Sequence, residues 1–436
     1  MSATVPRRAL PRVLGLFDVS VLASAAMGPA YSLAATMGPM VAAAGNAATL
    51  ALALLAAIML CIAVSFAQLS RVMPNAGSSF SWIANAFGPQ AGSYAAWLLL
   101  LSNYFATMTT ALPAATYTLD LVAPQLATSP LWDAIVGALW IAASTLLLYF
   151  GLRPTAFTTA IFLLAELGVV AASAIAALVV HPAPEHLAAA ARVPLPSPAV
   201  GIVSAMVLAI WMTDGWEVSA AASEESTGPP ETPGRGGVYA LLATTAVLLL
   251  AMAAYLHVGS VAGFTANQTD AMAYVADRLG GPVWHLTIVA TVLVSTAATL
   301  WTTVLYLSRS VYAMGRDGVL PRAVGRLDAR SMPTNSLVLV FIGVTAFTLV
   351  TGFWPTAASV LALVLDGTSV FLGALFCLSA LSAIRLLSAR DDVSRWQRIA
   401  VPGFGAAALA AIIAVDIAQS DAVTRSIEVG GLALGV

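Results

Sequence analysis

Eleven apolar runs long enough to cross a bilayer recur along the chain, at roughly 14–42, 46–69, 88–122, 130–150, 155–180, 199–222, 237–262, 283–313, 335–353, 356–387 and 399–418. A spanning helix needs about 20 apolar residues, and lipid offers no partner for an unpaired backbone amide. Runs of this length and number restrict the chain to an all-α integral membrane protein. The charge content agrees: 9% of residues are charged and 60% hydrophobic, against about 25% charged in soluble proteins. A net charge of −2 gives nucleic acid nothing to bind. Residues Ser420 to Val436 read as the start of a twelfth helix, so about 11–12 transmembrane helices are expected.

Arginines set the orientation, since the chain has no Lys and cytoplasmic loops collect positive charge. With residues 1–13 as a cytoplasmic N-terminal segment, the cytoplasmic side holds Arg7, Arg8, Arg12, Arg71, Arg153, Arg235, Arg309, Arg316, Arg322, Arg326, Arg330, Arg385, Arg390, Arg395 and Arg398. The other side holds Arg192, Arg278 and Arg425. A multi-pass protein of the plasma membrane is expected, surrounded by the lipid bilayer, with no removable leader.

Two runs carry interruptions. In the sixth, Ala209-Ile-Trp-Met-Thr-Asp-Gly-Trp-Glu places Asp214 and Glu217 on either side of Gly215, where hydrocarbon should continue. Carboxyls at that depth are costly unless they face a cavity, water or a partner, and unwound backbone is tolerated only where protein encloses it. In the first, Met27-Gly-Pro-Ala-Tyr31 combines Gly28 with Pro29, which removes an amide and breaks or bends the helix. If spans one to five and six to ten are repeats, each opens with a broken helix, and an odd number of spans makes the repeats inverted. The expected units are 14–180 (spans one to five), 199–387 (six to ten) and 399–436. Such a pair of broken helices points to a transporter's binding site.

Other polar groups are less decisive. Glu166 stands far from either end of the fifth run, so it must be protonated, paired or facing water; a simple helix–helix hydrogen bond also satisfies it. Asp366, beside Gly367, is a weaker case. Ser295, Thr296 and Thr299 have a spacing that suits a sodium ion shared with helix-one carbonyls, or bonds back to their own helix. Trp211 and Trp301 are candidate pocket walls or interfacial anchors. The loop stretch 269–278 reads as a short amphipathic helix. Four scattered histidines, two distant cysteines and the absence of a His-Glu-x-x-His pattern offer no catalytic or metal constellation, so neither an enzyme nor a cofactor is expected.

Four stretches carry a resemblance: Met27-Gly-Pro-Ala-Tyr31, Pro74-Asn-Ala-Gly-Ser-Ser-Phe80 with Gly88-Pro89, Gly215-Trp-Glu217 with Glu224-Glu225, and Arg309 with Ala313-Met-Gly-Arg-Asp-Gly-Val-Leu-Pro321. On these the chain resembles the amino acid–polyamine–organocation superfamily of secondary transporters over nearly its whole length. The resemblance implies a 5+5 inverted-repeat transporter fold and movement of amino acids or amines by alternating access. It implies a substrate carboxylate on the helix-one amides around Met27, Gly28, Pro29 and Ala30, next to Tyr31. The amine would lie on the carbonyls of Trp211, Met212, Thr213 and Asp214. It makes Trp211 a stacking wall and Glu217 a group tied to proton-dependent release. Glu166 falls near a position where proton-driven relatives carry a Lys. The coupling ion is expected to be a proton, with sodium (through Ser295 and Thr296) or substrate exchange as alternatives and a non-transporting sensor as a remote one. The oligomeric state is open. Pro29 and Ala30 depart from the family's Gly-rich pattern and Asp214 adds a charge; both favour a cationic or carboxylate-poor substrate.

Overall fold

The computed structural model describes residues 9–127, 129–179, 198–268, 270–353 and 357–435. His181, His186, Arg192 and the side chain of Asp366 lie outside the described residues. Among those described, the chain is helical apart from one isolated bridge between Leu14 and Ser226. In order the helices are α1 (Leu16–Met27), α2 (Pro29–Ala44), α3 (Ala48–Val72), α4 (Ser79–Phe87), α5 (Pro89–Val122), α6 (Pro130–Tyr149) and α7 (Leu152–Val179). After residue 197 come α8 (Pro198–Met212), α9 (Val218–Ala221), α10 (Thr232–Val258), α11 (Val261–Ala266), α12 (Ala271–Leu279) and α13 (Pro282–Asp317). The last are α14 (Thr334–Val350), α15 (Ala357–Leu387), α16 (Val401–Gln419) and α17 (Ala422–Ala433).

Nine helical stretches among the described residues are long and apolar enough to cross a membrane; the first, Leu16–Val72, takes in α1, α2 and α3. α8 is apolar but shorter. The amphipathic stretch expected at 269–278 is α12, whose N-cap Asp270 accepts the Ala273 amide at 3.0 Å, the bond that satisfies a free first-turn donor. The outer faces carry Leu139, Phe157, Leu164, Ile175 and Leu250, each more than 60% exposed, an apolar covering that suits lipid rather than water.

The packing has an exchange symmetry. Swap α1 with α8, α3 with α10, α5 with α13, α6 with α14 and α7 with α15, and most of the packing pairs find a counterpart. α1 packs on α10 as α8 does on α3; α1 on α7 as α8 on α15; α13 on α7 as α5 on α15; α13 on α6 as α5 on α14. α3 with α10, α5 with α13, and α6 with α14 pack as self-paired partners. Two sets of five spans therefore share one packing plan. Because five is odd, the second set enters the bilayer from the opposite side, which gives the inverted 5+5 arrangement. α5 and α13, one of the three self-paired couples, are the most enclosed of the long helices. Both broken helices lie against α13.

Candidate functional site

The first break is a stop and a restart. α1 ends on Gly28, whose φ of 53° is left-handed, and α2 begins with Pro29 at its first position. Glycine adopts that φ without a Cβ penalty, and proline suits a first helical position because no intrahelical partner awaits its missing N–H. Gly28 donates its amide to Ala25 O at 3.1 Å, and Ser32 donates to Gly28 O at 2.7 Å. α13 then stitches the break from the side. Thr299 Oγ1 donates to Ala25 O at 3.0 Å, and Ser295 Oγ accepts the Tyr31 amide at 3.1 Å. The Tyr31 hydroxyl donates to Thr109 O on α5.

The second break closes on itself. α8 ends at Met212, and Thr213 bonds back to Ala209 O at 2.8 Å. Gly215 has φ 113°, and its amide donates to Glu217 Oε2 at 3.0 Å. A Cβ at Gly215 would fall 2.5 Å from the Ala26 carbonyl carbon and 2.7 Å from the Met27 nitrogen. Backbone meets backbone here, so the two breaks touch through the one residue type that lets them.

A small cavity of about 20 Å³, room for about one water, opens where they meet. It is lined by Met27 and Ser32 of the first break and by Trp211, Asp214, Gly215 and Glu217 of the second. Asn103 and Thr110 of α5 and Thr299, Thr303 and Tyr306 of α13 complete it. Asp214 and Glu217 adjoin one another. Asp214 Oδ1 and the Tyr306 hydroxyl are buried without a hydrogen-bond partner. Trp211 meets Tyr31 edge-on, ring centroids 5.2 Å apart, the favoured T-shaped geometry for such a pair. No Arg, Lys or His lines the cavity among the described residues.

Of the residues singled out in the sequence, Met27, Trp211, Asp214, Gly215 and Glu217 line this cavity. Gly28, Pro29, Ala30 and Tyr31 build the break behind it, and Met212 and Thr213 are buried beneath the second break. Ser295 braces the first break rather than facing the cavity. Thr296 bonds back to Val292 O on its own helix. Trp301 turns the other way: its Nε1 donates to Thr159 Oγ1 at 2.8 Å and its ring packs 5.1 Å from that of Phe162. It fills the space between α13 and α7 and does not line the cavity. Glu166 lies beside the Ser295 hydroxyl without meeting it in hydrogen-bond geometry, so both its oxygens lack partners. It faces a separate groove between α7 and α13, with Thr287 and Thr291, of about 360 Å³. Asn103, Thr110, Thr303 and Tyr306 were not anticipated. Asn103 had a signal, an amide inside an apolar run; the others are ordinary hydroxyls until the helices pack.

The basic stretch at the C-terminal end of α13, expected only to set topology, also closes one end of the molecule. Arg309 grips Glu225 with two bonds, 2.9 and 3.0 Å, both side chains at most 1% exposed. Arg316 bonds Glu224 at 2.8 Å and Asn75 at 3.0 Å, and Glu224 accepts the Ala76 amide at 2.9 Å. Val13 and Leu14 donate to Glu225 O, and Arg12 donates to Ser226 O at 2.8 Å. Three of the four stretches that carried the resemblance are thus joined at the arginine-rich end. The opposite end has a recess of about 520 Å³ with Asp120, Asp270, Asp277 and His285 on its walls. Burial raises the Asp270 carboxyl above the ordinary range, against the lowering effect of the Ala273 amide and Tyr117.

Comparison with known proteins adds four findings. A family profile described as "Amino acid permease" matches residues 14–426. A branched-chain amino acid permease of Lactococcus lactis subsp. cremoris is 28% identical over 309 residues, covering 66% of this chain and 65% of that protein. An uncharacterized transporter of Mycobacterium tuberculosis is 28% identical over 331 residues, 74% of this chain and 70% of its own length. This chain thus spans slightly under two thirds of the first of these relatives. Among solved structures, the crystal structure of MhsT in complex with L-phenylalanine matches with a TM-score of 0.63 at 17% identity, covering 92% of this chain and 98% of that one. At that identity the likeness speaks for the fold.

Proposed function

We propose that this chain, which belongs to the amino acid permease family, is a secondary transporter that carries amino acids or related amines by alternating access, driven by protons. The observation that supports this most directly is that both helix breaks meet at one cavity holding two adjoining carboxyls. Broken helices at such a site expose main-chain groups to a small polar solute without exposing them to lipid. The sealed arginine-rich end and the recess at the other end fit a resting state closed on one side. With the arginines inside, that sealed end is the cytoplasmic one, in the plasma membrane. Opening it would require Arg309 to part from Glu225 and Arg316 from Glu224. A solute that draws the two repeats together around the cavity would supply the differential affinity that shifts such an equilibrium.

Two features favour protons over sodium. Two carboxyls in contact and away from water cannot both stay ionised, so Asp214 and Glu217 hold a proton between them that an incoming cation can displace. Glu166 is a second unpartnered acid behind Ser295. Of the hydroxyls suited to sodium, only Ser295 spends a lone pair, on the Tyr31 N–H. Thr299 and Thr296 donate to Ala25 O and Val292 O and keep theirs, so the preference for protons is carried by the carboxyls.

The test is saturable uptake into proteoliposomes of neutral, basic and acidic amino acids and of putrescine, with and without an inward proton gradient. Gradient-dependent uptake that becomes gradient-independent in Glu217→Gln or Glu166→Gln is the expected result. Uptake that ignores protons and follows sodium or internal substrate would overturn the coupling while leaving the permease. Binding without any uptake would favour a sensor.

A further inference from the structure

The polar groups around the cavity are oriented for a cation and against a carboxylate. Each cavity hydroxyl on Ser32, Thr110, Thr299 and Thr303 directs its proton at a main-chain carbonyl, those of Met27, Ala106, Ala25 and Thr299 respectively. What these side chains present inward is therefore oxygen lone pairs. Asp214 Oδ1 adds a buried acceptor with no partner, and Glu217 stands beside it. Trp211 adds an aromatic ring to the cavity wall, a surface that attracts ammonium groups. The one unpartnered hydroxyl able to donate is that of Tyr306.

The donors that would hold a carboxylate are in use. In the first turn of α2, Pro29 has no N–H, the Tyr31 amide is held by Ser295, and the Ser32 amide by Gly28 O. Only the Ala30 amide remains, and Ala30 does not line the cavity. At the second break the Gly215 amide is held by Glu217. A carboxylate brought into this cavity would lose its water and meet two carboxyls, with only side-chain donors in return, the Tyr306 hydroxyl, the second Asn103 N–H and the Trp211 indole N–H, which is unfavourable for a buried anion.

We infer that the solute is recognised as an amine and needs no carboxylate: the preferred class is primary alkylamines and diamines, ahead of the amino acids with the same side chain. The inference rests on the permease reading and deepens it by naming the substrate class. Ser295 acts as the selector. By holding the Tyr31 amide it removes the donor on which a substrate carboxylate would depend.

The experiment uses matched pairs that differ by one carboxylate: leucine with 3-methylbutylamine, lysine with cadaverine, arginine with agmatine. Binding is measured by calorimetry on the purified full-length protein, which avoids leakage of neutral amine through liposomes, and saturable uptake is measured alongside. The expected result is that within at least one pair the amine binds about ten-fold or more tightly than its amino acid, about 1.4 kcal/mol. Asp214→Asn should abolish amine binding, and Ser295→Ala should narrow the gap by improving the amino acid. The wild-type comparison stands even where a variant fails to fold. Tighter binding and uptake of the amino acid in every pair would overturn the inference and leave the permease. Absence of binding and uptake for both classes would remove the permease reading, and the inference with it.

Discussion

The two helix breaks occupy equivalent places in the two repeats and are held by opposite means. The first, at Gly28–Pro29, is neutral and is braced from outside: α13 supplies Ser295 to the Tyr31 amide and Thr299 to the Ala25 carbonyl, which also holds the Gly28 amide. The second, at Gly215, is charged and braced from within, its amide turned onto the carboxyl of Glu217 two residues on. A break held by a neighbouring helix moves with that helix. A break held by its own carboxylate responds to what neutralises that carboxylate. The comparison assigns mechanical linkage to the first break and chemical sensitivity to the second.

Adding one methyl to each glycine separates them most sharply. Gly215→Ala puts a Cβ 2.5 Å from the Ala26 carbonyl carbon at a φ of 113°. Neither backbone can yield without parting the breaks, so a loss of about 3 kcal/mol or more and no measurable transport are expected. Gly28→Ala meets mainly the Thr299 hydroxyl, at a φ of 53°. A left-handed alanine costs roughly 1–2 kcal/mol, and a side chain can rotate away. Denaturant melts of the purified protein check both; equal losses would mean that the breaks are not distinct.

Next in size is the effect of Glu217→Gln. The glutamine carbonyl still accepts the Gly215 amide, so stability should change by only about 1 kcal/mol. The dependence of uptake on the proton gradient should fall away. Retained dependence would move the chemical sensitivity to Glu166, beside the first break, and undo the contrast. Thr299→Val tests the outside brace. Ala25 O keeps the Gly28 amide, so loss of one hydroxyl bond should cost about 1 kcal/mol, with proton dependence intact.

How much of this was legible beforehand follows from range. The spans were legible because lipid forces long apolar helices, and the breaks because Gly28–Pro29 and Asp214–Gly215–Glu217 violate that rule locally. Their meeting was legible only as an analogy between two interrupted runs; the backbone contact at Gly215 is tertiary. Trp301 and Trp211 look alike in sequence, two aromatics in apolar runs, yet the rotation of α13 turns Trp301 onto Thr159 and Phe162 while Trp211 faces the cavity. The seal was hidden by distance, since Arg316 and Glu224 lie 92 residues apart and each is unremarkable alone. Three of the stretches that resemble the family thus have a common structural reason, the Asn75–Glu224–Arg316 knot.

The smallest effect tests the role of α13 most finely. Ser295, Thr296 and Thr299 were grouped by spacing, and a helix places residues three and four apart on a shared face while rotating a direct neighbour away. The structure divides them accordingly. Ser295 and Thr299, four apart, both reach the first break, and Thr296 returns its proton to Val292 O. A hydroxyl that bonds its own helix contributes little that valine, of nearly the same shape, does not. Thr296→Val should therefore shift stability by less than about 0.5 kcal/mol and leave uptake, proton dependence and sodium independence unchanged. Measured beside Thr299→Val in the same liposomes, it serves as the matched control for the brace. If Thr296→Val instead abolished uptake, or revealed a sodium dependence that it removed, the hydroxyls of α13 would be an ion site. The first break would then be the chemically sensitive one.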